Sequence, residues 1–131
     1  MRYLLDTNAV IGLLNSTASP IALAARRHAL VDIGLSAIVT HELFYGAYKS
    51  VRRNHNLARL EALQFEIVDF TREDAVASGE VRAALSLAGT PIGPLDVLIA
   101  GQALCRGLIL ITANTGEFNR VAGLKLEDWS K

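Results

Sequence analysis

Short apolar runs alternate along this chain with longer segments whose apolar residues recur at helical spacing. The apolar runs predict strands at Arg2–Leu5, Ile33–Ala37, Glu66–Phe70, Leu108–Ile111 and Leu124–Glu127. The segments between them predict helices over Thr7–Leu14, Ser19–Leu30, Thr40–Val51, Asn56–Leu63, Thr71–Leu87 and Leu95–Cys105. Strands that alternate with helices form a mostly parallel sheet with both faces covered, so we expect an α/β protein.

The composition fits a single domain over residues 1–131, with 51% hydrophobic residues to build a core. The formal net charge is zero, so the molecule as a whole attracts nucleic acid weakly. Any polyanionic partner must therefore be held by a local basic patch or by metal ions.

The chain carries the marks of a cytoplasmic protein. Its single cysteine, Cys105, allows no intrachain disulfide, and we expect a buried, unreactive thiol. Asp6 interrupts the apolar N-terminus before a signal peptide could form. The most apolar segment, Val97–Ile111, is interrupted by Arg106 and is shorter than the ~20 residues of a membrane span.

Acidic residues stand close behind the apolar runs. Asp6 follows the first strand, Glu42 comes within three residues of the run Leu35–Val39, and Glu117 follows the fourth strand. Asp96 lies at the start of a helix. In an open parallel sheet such junctions meet at the edge where ligands bind. Carboxylates gathered there repel one another unless a cation neutralises them.

Helix capping is the competing interpretation of each acid. An N-cap accounts for Asp6 as well as ligation does, and Glu42 and Asp96 lie in first helical turns, where acids favour the helix dipole. Asn114 and Glu117 fit a capping box. The coincidence of these acids at strand ends favours one shared site.

The chemistry of that site follows from the residues that are absent. No cluster of histidine or cysteine is available for zinc, so the ligands would be carboxylate oxygens. Oxygen ligands select hard cations such as Mg²⁺ or Mn²⁺, which also bind phosphate oxygens. The acids therefore indicate metal-dependent hydrolysis of a phosphodiester.

Four segments carry these acids in a fixed order. They are Leu4-Leu5-Asp6-Thr7-Asn8, Thr40–Gly46, Pro91–Ala100 and Thr112–Phe118, and Val121–Trp129 closes the chain. Together they resemble the PIN-domain family, and more narrowly the VapC-type toxin ribonucleases of toxin–antitoxin pairs. The resemblance implies a three-layer α/β/α sandwich with a mostly parallel five-stranded sheet. It also implies a Mg²⁺-dependent endoribonuclease that cleaves tRNA or rRNA and thereby inhibits translation.

Residue by residue, the resemblance makes Asp6, Glu42 and Asp96 catalytic metal ligands. Many PIN domains have an aspartate where this chain has Asn114, and in the toxin subgroup Glu117 supplies the acid instead. The loss of one carboxylate would weaken a second metal site, so we expect one tightly bound ion.

Neighbouring polar residues are candidates to orient the site. Thr7 and Asn8 could orient a metal-bound water or a phosphate, or could cap a helix. Thr112 could hydrogen-bond within the site or simply end its strand, and Asn114 is a candidate for the same supporting role.

A basic stretch and an aromatic helix are the remaining signals. Lys49, Arg52 and Arg53 could guide an RNA backbone toward the acids, or could be a solvated helix end. Tyr45 and Tyr48 belong to a helix that is apolar around much of its circumference, and any surplus beyond the core is a candidate protein interface.

The resemblance also implies partners. VapC-like proteins form homodimers and are blocked by a cognate VapB-like antitoxin whose tail lies across the active-site groove. DNA would be contacted only indirectly, through the antitoxin.

Two other functions compete with the nuclease. One is a PIN-fold binding module that has lost its chemistry, which the amide of Asn114 permits. The other is a phosphoryl-transfer or receiver domain phosphorylated on Asp6 or Asp69, although Thr112 and Ala113 stand where such domains need a lysine.

Overall fold

The computed structural model describes every residue from Met1 to Lys131. The strands are β1 (Tyr3–Leu5), β2 (Ile33–Ser36), β3 (Glu66–Val68), β4 (Ile109–Ile111) and β5 (Leu126–Glu127). The α-helices are α1 (Thr7–Asn15), α2 (Pro20–Ala25), α3 (Ala37–Lys49), α4 (Arg53–Glu61), α5 (Arg72–Leu87), α6 (Pro94–Arg106) and α7 (Thr115–Phe118). A short 3-10 helix, Leu30–Asp32, precedes β2. None of the helices has both the length and the apolar character needed to cross a membrane.

The strands form one five-stranded sheet in the order β3-β2-β1-β4-β5, and every neighbouring pair is parallel. Leu5 of β1 stands level with Leu35 on one side and with Ile111 on the other. All residues of β1 are buried, as expected for a central strand with helices on both faces. The predicted α/β class with a parallel sheet is therefore confirmed.

The direction of strand addition reverses at β1. The chain adds β2 and β3 on one side of β1 and then crosses back to add β4 and β5 on the other. Because parallel crossovers are right-handed, α1 to α4 cover one face and α5 and α6 cover the other. Contacts between α1 and α3, α3 and α4, and α5 and α6 agree with this arrangement. The reversal leaves a crevice past the C-terminal ends of β1 and β4.

One predicted helix start is wrong. Helix α3 begins at Ala37 rather than at Thr40, and its cap is Ser36, whose hydroxyl accepts a hydrogen bond from the Ile38 N–H at 3.0 Å. The Thr40 hydroxyl instead donates to the Ser36 carbonyl, as hydroxyls inside helices do. The strand predicted over Ile33–Ala37 consequently ends one residue earlier.

The second helix is shorter than predicted, ending at Ala25 instead of Leu30. After Ala25 the backbone tightens into turns in which the Arg27 and His28 N–H groups donate to the Ala24 and Ala25 carbonyls. This turn is compatible with the packing of the His28 ring, which stacks on Trp129 with centroids 4.9 Å apart and also contacts Tyr3.

Five further boundaries shift by two or three residues. The third strand ends at Val68 instead of Phe70, and the last strand begins at Leu126 instead of Leu124. The third helix ends at Lys49 instead of Val51, and the fourth covers Arg53–Glu61 instead of Asn56–Leu63.

Cys105 is exposed, so the prediction of a buried thiol is wrong. It lies in the last turn of α6, whose buried face ends with Gln102 and Ala103. The helix then stops at Gly107, which has a φ of +65°.

An ion pair between exposed Arg106 and buried Asp74 joins the end of α6 to α5. The Arg106 side chain donates to both carboxylate oxygens of Asp74, at 3.1 and 2.9 Å, and Gln102 donates to the same carboxylate at 3.0 Å. Asp74 also accepts from the Thr71 N–H, which completes the capping box of α5. Hydrogen bonding to Arg106 and these other donors outweighs burial and lowers the pKa of Asp74 to about 2.

We predict that Arg106→Ala lowers the free energy of unfolding by about 2 kcal/mol, because Asp74 loses its charged donor while it stays buried. The depressed pKa of Asp74 stabilises the folded protein above pH ~4, and this contribution is lost as the pH falls toward about 2. Urea unfolding from pH 7 to pH 2.5 measures both effects. Arg82→Ala, which removes an exposed arginine of α5, is the matched control. Equal stability of the two variants at pH 7 would contradict the structural importance of the pair.

Candidate active site

Asp6 lies where β1 runs into α1, at the crevice left by the strand reversal. Its carboxylate caps α1 by accepting the Ala9 N–H at 2.8 Å, and the residue is only 6% exposed. Burial raises the pKa of Asp6, and the nearby carboxylates of Glu42 and Asp128 raise it further. Hydrogen bonds from Thr112 and Ala9 act in the opposite direction but do not cancel the rise. Asp6 therefore caps α1, and its ionised form is disfavoured by burial and by the neighbouring carboxylates.

Glu42 reaches the same place from α3. The Thr7 hydroxyl donates to its Oε1 at 2.9 Å, which ties the second turn of α3 to the first turn of α1. Asn8, the next residue along α1, is exposed. Of the two neighbours predicted to orient the site, Thr7 thus contacts an acid directly.

Asp96 enters from the first turn of α6, on the opposite face of the sheet. Burial is the main cause that raises its pKa to about 6, followed by the negative charges of Glu117, Glu42 and Asp6. The charges of these three acids therefore act on Asp96, which places the four acids predicted from the sequence at one end of the sheet.

Glu117 is held by two donors rather than by a cap. Its Oε1 accepts the Gly93 N–H at 2.9 Å, and its Oε2 accepts the Asn114 side-chain N–H at 2.8 Å. These hydrogen bonds lower the pKa of Glu117. Asn114 makes no side-chain capping bond to α7, so the capping-box alternative is wrong. Asn114 orients the carboxylate of Glu117, and Glu117 in turn reaches the N-terminus of α6.

Thr112 links the ends of β1 and β4. It is fully buried, its hydroxyl accepts the Asn114 N–H at 2.9 Å, and it hydrogen-bonds Asp6. Thr112 therefore supports both Asp6 and the loop that carries Glu117.

The donor set fits a hard cation, because it consists of carboxylate oxygens that raise one another's pKa. A Cβ at Gly93 would lie 3.0 Å from Oδ2 of Asp96, so glycine keeps this oxygen accessible. No three of the side chains are already arranged as a ligand group. Glu42 instead accepts a hydrogen bond from Thr7, and Glu117 accepts hydrogen bonds from Gly93 and Asn114.

Comparisons with known proteins agree with this geometry. The sequence model of the PIN-domain family matches residues 3–124. The chain belongs to the PIN-domain family.

The relatives are of the VapC type predicted from the motifs. The chain is 38% identical to the tRNA(fMet)-specific endonuclease VapC of Shigella flexneri over 135 residues, with 99% of each chain covered. It is 36% identical to ribonuclease VapC2 of Rickettsia felis over 137 residues, with 100% of each covered. A crystal structure of DNA-bound VapBC from Salmonella typhimurium superimposes with a TM-score of 0.93, at 37% identity and 98% coverage of each chain. The predicted family and its VapC-type subgroup are confirmed.

One acid of this PIN domain escaped sequence reasoning. Asp128 follows β5 as Asp6 follows β1, and its charge contributes to the raised pKa of Asp6. The backbone N–H and the hydroxyl of Ser130 bind Asp128, hold it in place and lower its own pKa. Asp128 directly follows the last strand, so the pattern that identifies Asp6, an acid at the C-terminal end of a strand, also identifies Asp128.

The predicted basic stretch lies on the surface at the junction of α3 and α4. Lys49, Arg52 and Arg53 are exposed. Arg59 is not part of this surface, because its guanidinium turns inward and donates to the Leu14 carbonyl.

A cleft of about 260 Å³ opens beside Glu42, between α1, α3 and α4. Thr7 and Glu42 form its end nearest the acids, and Arg59 and Asn56 form its polar wall on α4.

We predict that Asp96→Asn stabilises the metal-free PIN domain at neutral pH. The folded-state pKa of about 6 exceeds the usual aspartate value near 4, so ionisation of Asp96 costs stability as the pH rises from ~4 to about 6. Removing the charge should recover on the order of 1 kcal/mol at pH 7.5, allowing for solvent screening. Thermal unfolding in a chelating buffer from pH 4 to pH 8 measures this gain. Glu80→Gln on α5 is the exposed control, and a variant less stable than wild type at pH 7.5 would refute the repulsion.

Proposed function

We propose that this PIN domain is a metal-dependent endoribonuclease that cleaves a structured cellular RNA, specifically a tRNA. The observation that carries the proposal is the set of four carboxylates at the strand reversal, where burial and then the charges of Glu117, Glu42 and Asp6 raise the pKa of Asp96 to about 6. None of these four carboxylates forms a salt bridge, although the charge of Arg120 acts on Glu117. The arrangement is therefore suited to a bound cation.

The ion proposed is Mg²⁺, or Mn²⁺ in its place. Asp6 and Asp96 would bind it, with Glu42 and Glu117 completing the acidic set. When bound, such an ion activates water and stabilises charge on a phosphodiester.

The chain's own side chains prepare this site. Thr7 fixes the carboxylate of Glu42, and the Gly93 N–H and Asn114 fix that of Glu117. Asp6 is fixed by the first turn of α1. Because these acids are anchored by different elements, the fold itself brings their charges to one end of the sheet.

The choice of tRNA rests on the relatives. Proteins 38% and 37% identical over nearly the whole chain carry the name tRNA(fMet)-specific endonuclease VapC. The chain supplies a basic surface for such a substrate, since exposed Lys49 ends the helix that carries Glu42, and exposed Arg52 and Arg53 follow at the start of α4. A tRNA substrate would place the enzyme's action in the cytoplasm.

A VapB-like antitoxin is the proposed regulatory partner, because the superimposable structures from Salmonella typhimurium and Rickettsia felis are VapBC complexes bound to DNA. We propose that its tail blocks the acids through the cleft beside Glu42, that the toxin is a homodimer, and that DNA is reached only through the antitoxin.

The decisive experiment is cleavage of total tRNA by the purified protein with Mg²⁺, with Mn²⁺ and with EDTA. We expect cleavage with either metal and none with the chelator. Cleavage that persists in EDTA would refute the metal requirement. If every metal gives no cleavage while RNA still binds, the binding-module alternative replaces the nuclease.

We predict that Asp6→Asn and Asp96→Asn each reduce the cleavage rate at least about 100-fold, because an amide is a poor ligand for a hard cation. Asparagine can still cap α1 at position 6, so the fold should persist. Single-turnover cleavage measures the rate, and circular dichroism checks the fold. Glu80→Gln is the matched control, and a variant that cuts at the control's rate would remove that residue from the site.

We predict that the double variant Arg52→Ala/Arg53→Ala binds RNA more weakly and with less dependence on salt. If each arginine neutralises one phosphate, the slope of log affinity against log salt should fall by about 1.4 for single-stranded RNA. Fluorescence anisotropy over a salt series measures the slope. The control is Arg72→Ala/Arg82→Ala on α5, and an unchanged slope would show that the basic stretch is merely solvated.

A further inference from the structure

Helix α3 exposes two tyrosines that its core packing does not need. The buried face of the helix is formed by Val39, Leu43 and Ala47. Tyr45 and Tyr48 lie on the other side, 60% and 53% exposed. Exposing two large rings side by side costs burial energy, so this face is suited to a ligand.

Each exposed ring is paired with a cation. Nζ of Lys49 lies 4.5 Å from the ring centroid of Tyr45, and Cζ of Arg53 lies 5.0 Å from that of Tyr48. No acidic residue occurs between Glu42 and Glu61, so the positive charge is not locally compensated by sequence neighbours. The surface therefore combines flat aromatic faces with positive charge.

This surface begins one helical turn from the acids. Tyr45 follows Glu42 by three residues and Tyr48 follows Tyr45 by three, and residues three apart are neighbours on a helix surface. The rise is about 4.5 Å along the helix axis per step. The rings thus extend from the catalytic edge toward the basic stretch.

We propose that Tyr45 and Tyr48 form a stacking site for unpaired bases of the RNA substrate, with Lys49 and Arg53 contacting the flanking phosphates. The proposal rests on the function proposed above and specifies its substrate class, namely looped or single-stranded RNA next to the cleavage point. Stacking on aromatic rings within a basic groove is the general means of holding unpaired bases.

The chemistry of the surface favours RNA over a protein partner. Each pair of a phenol ring and a cation suits a nucleotide, because the base can stack on the ring while the phosphate contacts the cation. Bases inside an A-form duplex have their faces covered by neighbours and cannot stack on these rings. The site would therefore select loops, and a second copy of the chain or another protein on this face is the alternative that the experiment tests.

The variants remove the rings without removing bulk. Tyr45→Leu/Tyr48→Leu abolishes stacking, whereas Tyr45→Phe/Tyr48→Phe keeps both rings and is the matched control. The probes are a hairpin RNA with one 2-aminopurine in its loop and a blunt duplex of the same stem. Binding is measured in the cleavage-deficient Asp96→Asn background, and circular dichroism checks the fold.

We expect the leucine variant to bind the hairpin about 10-fold more weakly and to lose the stacking-induced quenching of 2-aminopurine. The phenylalanine variant should keep both, and duplex binding should change little in either. A 5-iodouridine in the loop should crosslink to Tyr45 or Tyr48 of the unaltered protein, which tests the site even if a variant misfolds.

Other outcomes overturn the stacking site. Equal hairpin affinity and quenching in the leucine and phenylalanine variants would do so, as would crosslinks confined to other residues. If the leucine variant changes its sedimentation but not its RNA affinity, the face is a protein interface. Wild-type cleavage of tRNA is scored separately, so a nuclease without stacking and stacking without a nuclease are distinguishable.

Discussion

Electrostatic repulsion among the carboxylates at the strand reversal is the constraint on which the rest of the structure depends. Asp6 is buried there, and burial together with the negative charges around Asp96 raises the pKa of Asp96 to about 6. Such a cluster survives only because the acids arrive on separate elements, each fixed by its own packing. The topology supplies this, since α1 and α3 approach from one face of the sheet and α6 from the other. Holding these carboxylates close lowers the stability of the folded protein, as at other functional sites.

The far end of α6 provides the opposing anchor. Its first turn carries the repelled Asp96, and its last turn carries Arg106, paired with buried Asp74. Between them, a Cβ at Gly101 would come within 2.5 Å of the Ser78 Cα, so only glycine allows α5 and α6 this close. These two contacts with α5 hold α6 in position and oppose a movement of its N-terminus away from the other acids. The ion pair and the close helix contact therefore act on the site from a distance, through the position of α6.

The sequence predicts those parts of the fold that depend on local pattern. The apolar runs gave all five strands, and the acids behind them gave the members of the site. It fails where a tertiary contact overrides the local signal. His28 leaves its helix to stack on Trp129, and Cys105 lies in an apolar run but turns to solvent. Arg59 follows the basic residues Arg52 and Arg53 in the sequence, yet its guanidinium turns inward and donates to the Leu14 carbonyl.

Glu117 illustrates a different limit, because its local pattern has two valid interpretations. The spacing from Asn114 to Glu117 fits a capping box, but Asn114 makes no capping bond, and Glu117 accepts from the Asn114 side chain and from the Gly93 N–H just before α6. The missed Asp128 has a simpler cause, since the strand before it is only two residues long and lies at the edge of the sheet.

The amide at position 114 then has a positive role. An aspartate there would add another negative charge beside Glu117 and could not donate to it, whereas Asn114 donates at 2.8 Å and lowers the pKa of that carboxylate. Asparagine rather than aspartate at position 114 therefore leaves the acidic cluster with one negative charge fewer, and its side chain orients the carboxylate of Glu117. If the proposed cation binds here, this arrangement would favour one ion over two, because a hydrogen-bond donor stands where a further carboxylate would be needed to hold a second.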